Sequence, residues 1–161
     1  MHHKLIFLLL IASTWIVSCD VLDDAELEPE YFVECEVDGK MYQALTKAEA
    51  YMSTSLVNPD SYVVTGLDAH SEFHIDLNLF RQLGEGKIAA GTNINNLLTS
   101  ISLYMDGKTY SAVAEGGEGC VQVDLLTDTR CEGSFEGVLV EILEENETKV
   151  ITNGRFKVKT R

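Results

Sequence analysis

The sequence predicts one all-β domain, an antiparallel sandwich or partly open barrel of about eight to ten strands. Three observations predict it. Beyond Tyr31, apolar and polar residues alternate with period two over most segments, the pattern of strands with one buried face. Two Asp-Gly pairs, Asp38-Gly39 and Asp106-Gly107, stand between such segments. The favoured two-residue hairpin turn needs positive φ at both central positions, which these residues adopt at low cost. The segments are short and bounded by turn residues, and the only prolines, Pro29 and Pro59, fall outside them.

In order, Phe32-Val33-Glu34-Cys35-Glu36-Val37 puts Val33, Cys35 and Val37 on one face and both glutamates on the other. Residues 40–44 return as the hairpin partner. Segment 46–51 reads as a helical turn or a loop. Residues 61–68 and 72–80 are strands, the second with Phe73, Ile75, Leu77 and Leu79 on one face. Segment 81–91 reads as a glycine-bearing loop, and 93–99 as a short helix or loop. Residues 101–105 and 108–112 flank the second Asp-Gly turn. After a glycine-rich loop at 116–119, segments 120–126, 133–143 and 150–159 form a three-strand meander. Asp38-Gly39-Lys40-Met41-Tyr42-Gln43-Ala44 echoes Asp106-Gly107-Lys108-Thr109-Tyr110-Ser111-Ala112. The echo is read as one hairpin solution used twice rather than a duplicated half-domain.

Ahead of this domain, residues 1–4 include Lys4, and residues 5–17 form an apolar run. A basic start and a short apolar core make a signal peptide, since a membrane span needs about 20 apolar residues. The run ends in Ile16-Val17-Ser18-Cys19, followed by Asp20. This resembles the lipobox of bacterial lipoproteins, which implies cleavage after Ser18 and lipidation of Cys19. Stable anchoring takes more than one acyl chain, which an N-acylated, lipidated cysteine supplies. Residues 20–30, DVLDDAELEPE, hold six acids and no base, so self-repulsion makes them an extended, disordered tether. The division is therefore residues 1–18 as signal peptide, 19–30 as lipidated Cys19 plus tether, and 31–161 as the β domain. The expected location is the cell envelope, lipid-anchored at the outer membrane. Asp20, Asp23, Asp24 and Glu26 resemble a loose form of the acidic signal that sends Bacteroidetes-type lipoproteins to the cell surface, and an extracellular or a periplasmic face stays open.

The chain carries a net charge of −14, and loss of the signal with Lys4 makes it −15. So acidic a protein is excluded as a nucleic-acid binder, which needs basic patches. Anionic headgroups repel it, leaving membrane contact to the lipid on Cys19. The only tryptophan, Trp15, lies in the signal.

Phe32 to Ala44, as F-x-x-C-x-V-D-G-K-x-Y-x-A, together with Gly133-Ser134-Phe135 and Ile151-Thr152-Asn153-Gly154-Arg155-Phe156, resembles a family of small Bacteroidetes lipoproteins of unknown function. The resemblance covers both ends of the domain. It implies a β-rich domain behind a lipidated cysteine and no catalytic residues.

Candidate chemistry is sparse. Cys35, Cys120 and Cys131 lack metal-ligand spacing. If one disulfide forms it is Cys35–Cys131, both on core faces; three free thiols are the alternative. His70 and His74, flanked by Asp68 and Asp76, read as polar surface rather than a metal site. The acids of 124–128 lack a calcium-loop pattern. Asn146-Glu147-Thr148 matches a glycosylation acceptor, of little weight in a bacterial lipoprotein. No nucleophile motif appears. The expected function is a non-catalytic binding or structural module without cofactor or metal, taking a protein or glycan ligand. Tyr42, Tyr51, Tyr62, Tyr104 and Tyr110 support a glycan ligand only if they line one concave face. The alternative is an acidic inhibitor or immunity-type protein capping a basic partner, steered by charge.

Overall fold

The computed structural model describes residues 30–46, 50–56, 60–68, 70, 72–80, 84–91, 93–94, 97–143 and 147–159. The signal segment, Cys19 and the tether to Pro29 lie outside them. Thirteen strands occur among the described residues: β1 (Phe32–Val37), β2 (Lys40–Ala44), β3 (Ala50–Thr54), β4 (Ser61–Asp68), β5 (Phe73–Phe80), β6 (Gly86–Ala89), β7 (Asn93–Ile94), β8 (Leu97–Leu98), β9 (Ser100–Met105), β10 (Lys108–Ser111), β11 (Glu118–Leu126), β12 (Arg130–Glu141) and β13 (Thr148–Lys159). No helix is present among these residues.

Eleven strands make one antiparallel sheet in the order β2-β1-β13-β12-β10-β9-β5-β4-β3, with β11 and β6 branching from β12. The sheet curls strongly into a half-barrel, and β3 and β4 come back against β1, β2 and β13. The all-β expectation holds, in the partly open barrel form rather than as two packed sheets. The additional strands are short segments. Ala50 and Tyr51, in the segment read as helical turn or loop, begin β3. The expected loop at 81–91 contains β6, which pairs with β11. Within 93–99, β7 and β8 form a two-residue ribbon. Four- and two-residue strands are too short to display a periodicity.

The fork has a simple cause. β12 is twelve residues long. One edge pairs along its length with β13. The other edge is divided, Cys131 to Val138 pairing with β11 and Val140–Glu141 with β10. β13 carries a bulge near Thr152–Asn153: Cys35 of β1 opposes both Asn153 and Gly154, and Glu136 of β12 opposes both Thr152 and Asn153. Asn153 has φ 53°, so an Asn-Gly pair that could turn a hairpin instead sharpens the curl.

Both Asp-Gly turns form as expected, with φ of 52° and 80° at Asp38 and Gly39, and 54° and 75° at Asp106 and Gly107. Their settings differ. Tyr42, on edge strand β2, stacks on Phe73 with centroids 5.2 Å apart, whereas Tyr110 is buried beside β12. The echo is thus one turn solution in two environments.

The inner face holds a continuous apolar cluster that includes Val33, Met52, Phe73, Leu77, Leu103, Phe135 and Phe156. Cys35 and Cys131 belong to it, and both are free, as is Cys120. The expected Cys35–Cys131 bridge is therefore corrected. Cys131 pairs at Val158 of β13, while Cys35 lies at the bulge beside Gly154, level with Phe135 four residues along β12. At about 3.4 Å per residue this separates them by ~13 Å along the sheet, beyond the ~7 Å within which a disulfide closes. Burial pushes both thiols up to about 12.

Candidate functional site

The half-barrel has two ends. Glu30 leads into β1 beside the finish of β13, where Phe32 pairs with Lys157. The opposite end carries the Asp38-Gly39 and Asp106-Gly107 turns, the end of β4 at Asp68 and the start of β5 at Phe73. Glu30 thus lies at one end of the domain and those turns at the far end.

At that far end, the outer face of the sheet presents a single cross-strand row. Leu67 of β4 pairs with His74 of β5, His74 with Tyr104 of β9, and Tyr104 with Thr109 of β10. Ile142, just past β12, donates its N–H to the Thr109 carbonyl at 3.0 Å. Period-two alternation aims these side chains outward while Ile75, Leu103 and Tyr110 point inward. Leu67, Tyr104 and Ile142 are 38%, 46% and 47% exposed, and neighbouring Leu143 is 85% exposed. The next row is polar: Thr65, Asp76, Ser102 and Ser111 follow one another across the same strands. Asp76 Oδ1 accepts a hydrogen bond from Thr65 Oγ1 at 2.7 Å and lies 3.2 Å from His74 Nε2. His70 is turned to solvent, its backbone N–H donating to Asp68 Oδ1 at 2.9 Å. Both histidines thus sit beside aspartates on the surface, and no group of three or more metal-ligating side chains gathers among the described residues.

The tyrosines do not line a concave face. Tyr62 and Tyr110 are buried, Tyr42 lies half-buried on Phe73, and only Tyr104 is exposed. The tyrosine platform on which a glycan ligand would depend is not assembled.

An ionic cluster ties the far-end turns together. Glu147, which leads into β13, accepts from Lys108 Nζ at 2.5 Å and from Tyr110 Oη at 2.7 Å. Lys149 Nζ lies 3.1 Å from Asp38 Oδ2 and 5.7 Å from the Tyr110 ring centre. Asp38 also accepts the Val150 N–H at 2.9 Å. Both Asp-Gly hairpins are thereby fastened to the start of β13. The Lys108 and Tyr110 hydrogen bonds hold the Glu147 carboxyl down to about 2. Burial, then the bond to Glu147, pushes the Tyr110 hydroxyl up to about 12. Sequence reading missed Glu147 because its partners lie 37 and 39 residues away.

This cluster sets an acid limit. A carboxyl whose pKa is lower in the folded state stabilises above its unfolded value and ceases to do so as pH falls through the folded one. Glu147 therefore contributes fully above about pH 4.5 and progressively less toward pH 2. Glu147→Gln is expected to be less stable than wild type at pH 7, with the two melting temperatures converging near pH 2. A gap independent of pH would show that the charge contributes nothing.

A second outer surface lies over β6, β11, β12 and β13. Two adjoining grooves of about 550 and 340 Å³ share Lys87, Cys120 and Glu136. Cys120 Sγ donates to Glu136 Oε1 at 3.5 Å. Burial and that bond raise the thiol pKa against the opposing Lys87 charge, so the protonated thiol is favoured and the arrangement is not that of an activated nucleophile. The 127–130 turn is organised by Thr127, whose Oγ1 accepts the N–H groups of Thr129 and Arg130.

Comparison with known proteins returned no match: no family model fits the chain, and no curated protein or solved structure is significantly similar to it. Fold and surface together define a curled single-sheet β domain with a filled inner face and two distinct outer surfaces.

Proposed function

We propose that this chain is a lipid-anchored, non-catalytic binding module of the bacterial cell envelope, held at the outer membrane through Cys19 and akin to the small Bacteroidetes lipoproteins it resembles. The observation that carries the reading is the pairing of a lipobox and acidic tether with a domain whose exposed apolar row lies at the end remote from the tether. The segments bearing the resemblance become neighbours in the fold, β1 and β2 beside β13, with β12 next to it. That makes the resemblance one contiguous substructure. A second reading, an acidic inhibitor or immunity-type cap for a basic protein, is favoured by the net charge and by β3, β4, β5 and β9, which contain no lysine or arginine.

The test is metabolic labelling with an acyl-chain probe in wild type and Cys19→Ala, paired with protease shaving of intact cells. Labelling that requires Cys19, with loss of the domain on shaving, is the result expected of a surface lipoprotein. Labelling with protection places the domain in the periplasm. Labelling that survives Cys19→Ala overturns the anchor.

A further inference from the structure

Charge is divided unevenly between the two halves of the sheet. Lys87, Arg130, Lys149, Arg155, Lys157 and Lys159 all lie on β6, β12 and β13. Several are engaged there, Arg155 with Glu34 and Arg130 with Glu132. The β3–β4–β5–β9 half has no cation of its own. The outer row runs from Leu67 and Tyr104 of that half across β10, whose Lys108 is paired with Glu147, to Ile142 just past β12, and carboxylates stand on both sides of it. Asp76 stands in the row behind, and Glu72 and Asp106 are exposed on the rim. Leu67, Tyr104 and Ile142 take alternate places in the row, with His74 and Thr109 between them and Leu143 beside Ile142; exposed apolar side chains gathered on one face with a polar rim mark an interaction site.

We propose that this row is the docking surface for a cationic protein segment, one with two or three large apolar side chains flanked by lysine or arginine. The inference rests on the reading of the chain as a binding module and names that module's partner by its chemistry. Five strands at about 4.8 Å spacing make the row ~19 Å long, the span of five or six extended residues. The apolar side chains of the segment cover Leu67, Tyr104 and Ile142. Its cations meet Asp76 on one side and Glu72 and Asp106 on the other, and the Tyr104 ring offers a cation–π face. The flanking carboxylates contribute mainly to association rate and selectivity. An anionic membrane surface is repelled by the same carboxylates.

The test uses the full chain in detergent micelles and three fluorescein-labelled twelve-residue peptides: one of alternating Lys or Arg with Leu and Trp, a second with Glu replacing every cation, and a third with Gly replacing every Leu and Trp. Saturable binding of the first peptide alone is expected, weakening at least tenfold between 50 and 500 mM salt. Leu67→Ser with Tyr104→Ala should weaken it a further tenfold or more, and Ile142→Ser should weaken it independently. These side chains are exposed, so unchanged melting temperatures confirm that the variants fold. No saturable binding, equal binding of the glycine peptide, or binding indifferent to both variants overturns the proposal, as does saturable binding of a neutral hexasaccharide to the same row. Repeating the titration with Cys19→Ala separates the two readings. Binding that persists in a chain that cannot be acylated leaves the docking surface standing whatever the labelling experiment returns.

Discussion

Alanine at Gly133 is expected to cost about 3 kcal/mol or more, at or beyond the upper end of ordinary overpacking. A β-carbon there would lie 2.0 Å from the Gln122 carbonyl oxygen and 2.7 Å from Cζ of Phe156. The ring can swing away; the carbonyl cannot. Gln122 and Val123 pair with Ser134 and Gly133, so relief requires β11 to separate from β12. Against a total stability of about 5–15 kcal/mol, this is about a fifth to three fifths of the whole. Urea unfolding of wild type, Gly133→Ala and Ser134→Ala decides it, since Ser134 is adjacent but not on the inner face and its loss should stay within about 0.5 kcal/mol. A Gly133→Ala protein as stable as wild type would mean that the two strands do not approach this closely.

Phe156→Ala is expected to destabilise by about 3–5 kcal/mol, the range for truncating a fully buried phenylalanine. The side chain is 1% exposed, and its ring lies 6.4 Å from that of Phe135, centre to centre. It also covers Gly133, its partner across the strands, while Phe135 covers Gly154 in the reciprocal pair. Two G-x-F motifs, Gly133-Ser134-Phe135 and Gly154-Arg155-Phe156, thus lie antiparallel, each ring filling the space over the other's glycine, a recognised means of stabilising glycine within a sheet. Removing one ring opens a cavity and uncovers backbone. Combining Phe156→Ala with Gly133→Ala should not rescue the second change, because the clash with the Gln122 carbonyl remains. Thermal and urea unfolding test both statements, and a loss below 1 kcal/mol for Phe156→Ala would count against this packing.

Much of the architecture was legible from local pattern. Alternation located the longer strands, since which face a side chain takes is settled by its immediate neighbours. Both Asp-Gly turns were readable because positive φ is a property of the residues themselves. Ala50 and Tyr51, the end of the segment read as helical turn or loop, fall in β3 instead, because a five-residue strand carries too little pattern to outweigh tertiary pairing. The Cys35–Cys131 pairing failed for a related reason. Periodicity correctly put both thiols on inner faces but carries no information about distance along the sheet.

The apolar row shows the same boundary. Leu67, His74, Tyr104, Thr109 and Ile142 each belong to an outward-facing position, yet nothing in their sequence spacing makes them neighbours. Glu147 is likewise unremarkable until the β9–β10 hairpin brings Lys108 and Tyr110 to it. By itself the sequence determined the all-β class, the two hairpin turns, the acidic character and the lipobox-like start, all of which depend on interactions within a few residues. Only the tertiary structure decided the order of strands, the fork at β12, the facing G-x-F pair, and which outer side chains form one surface. Those depend on long-range register, set when the whole inner face packs at once.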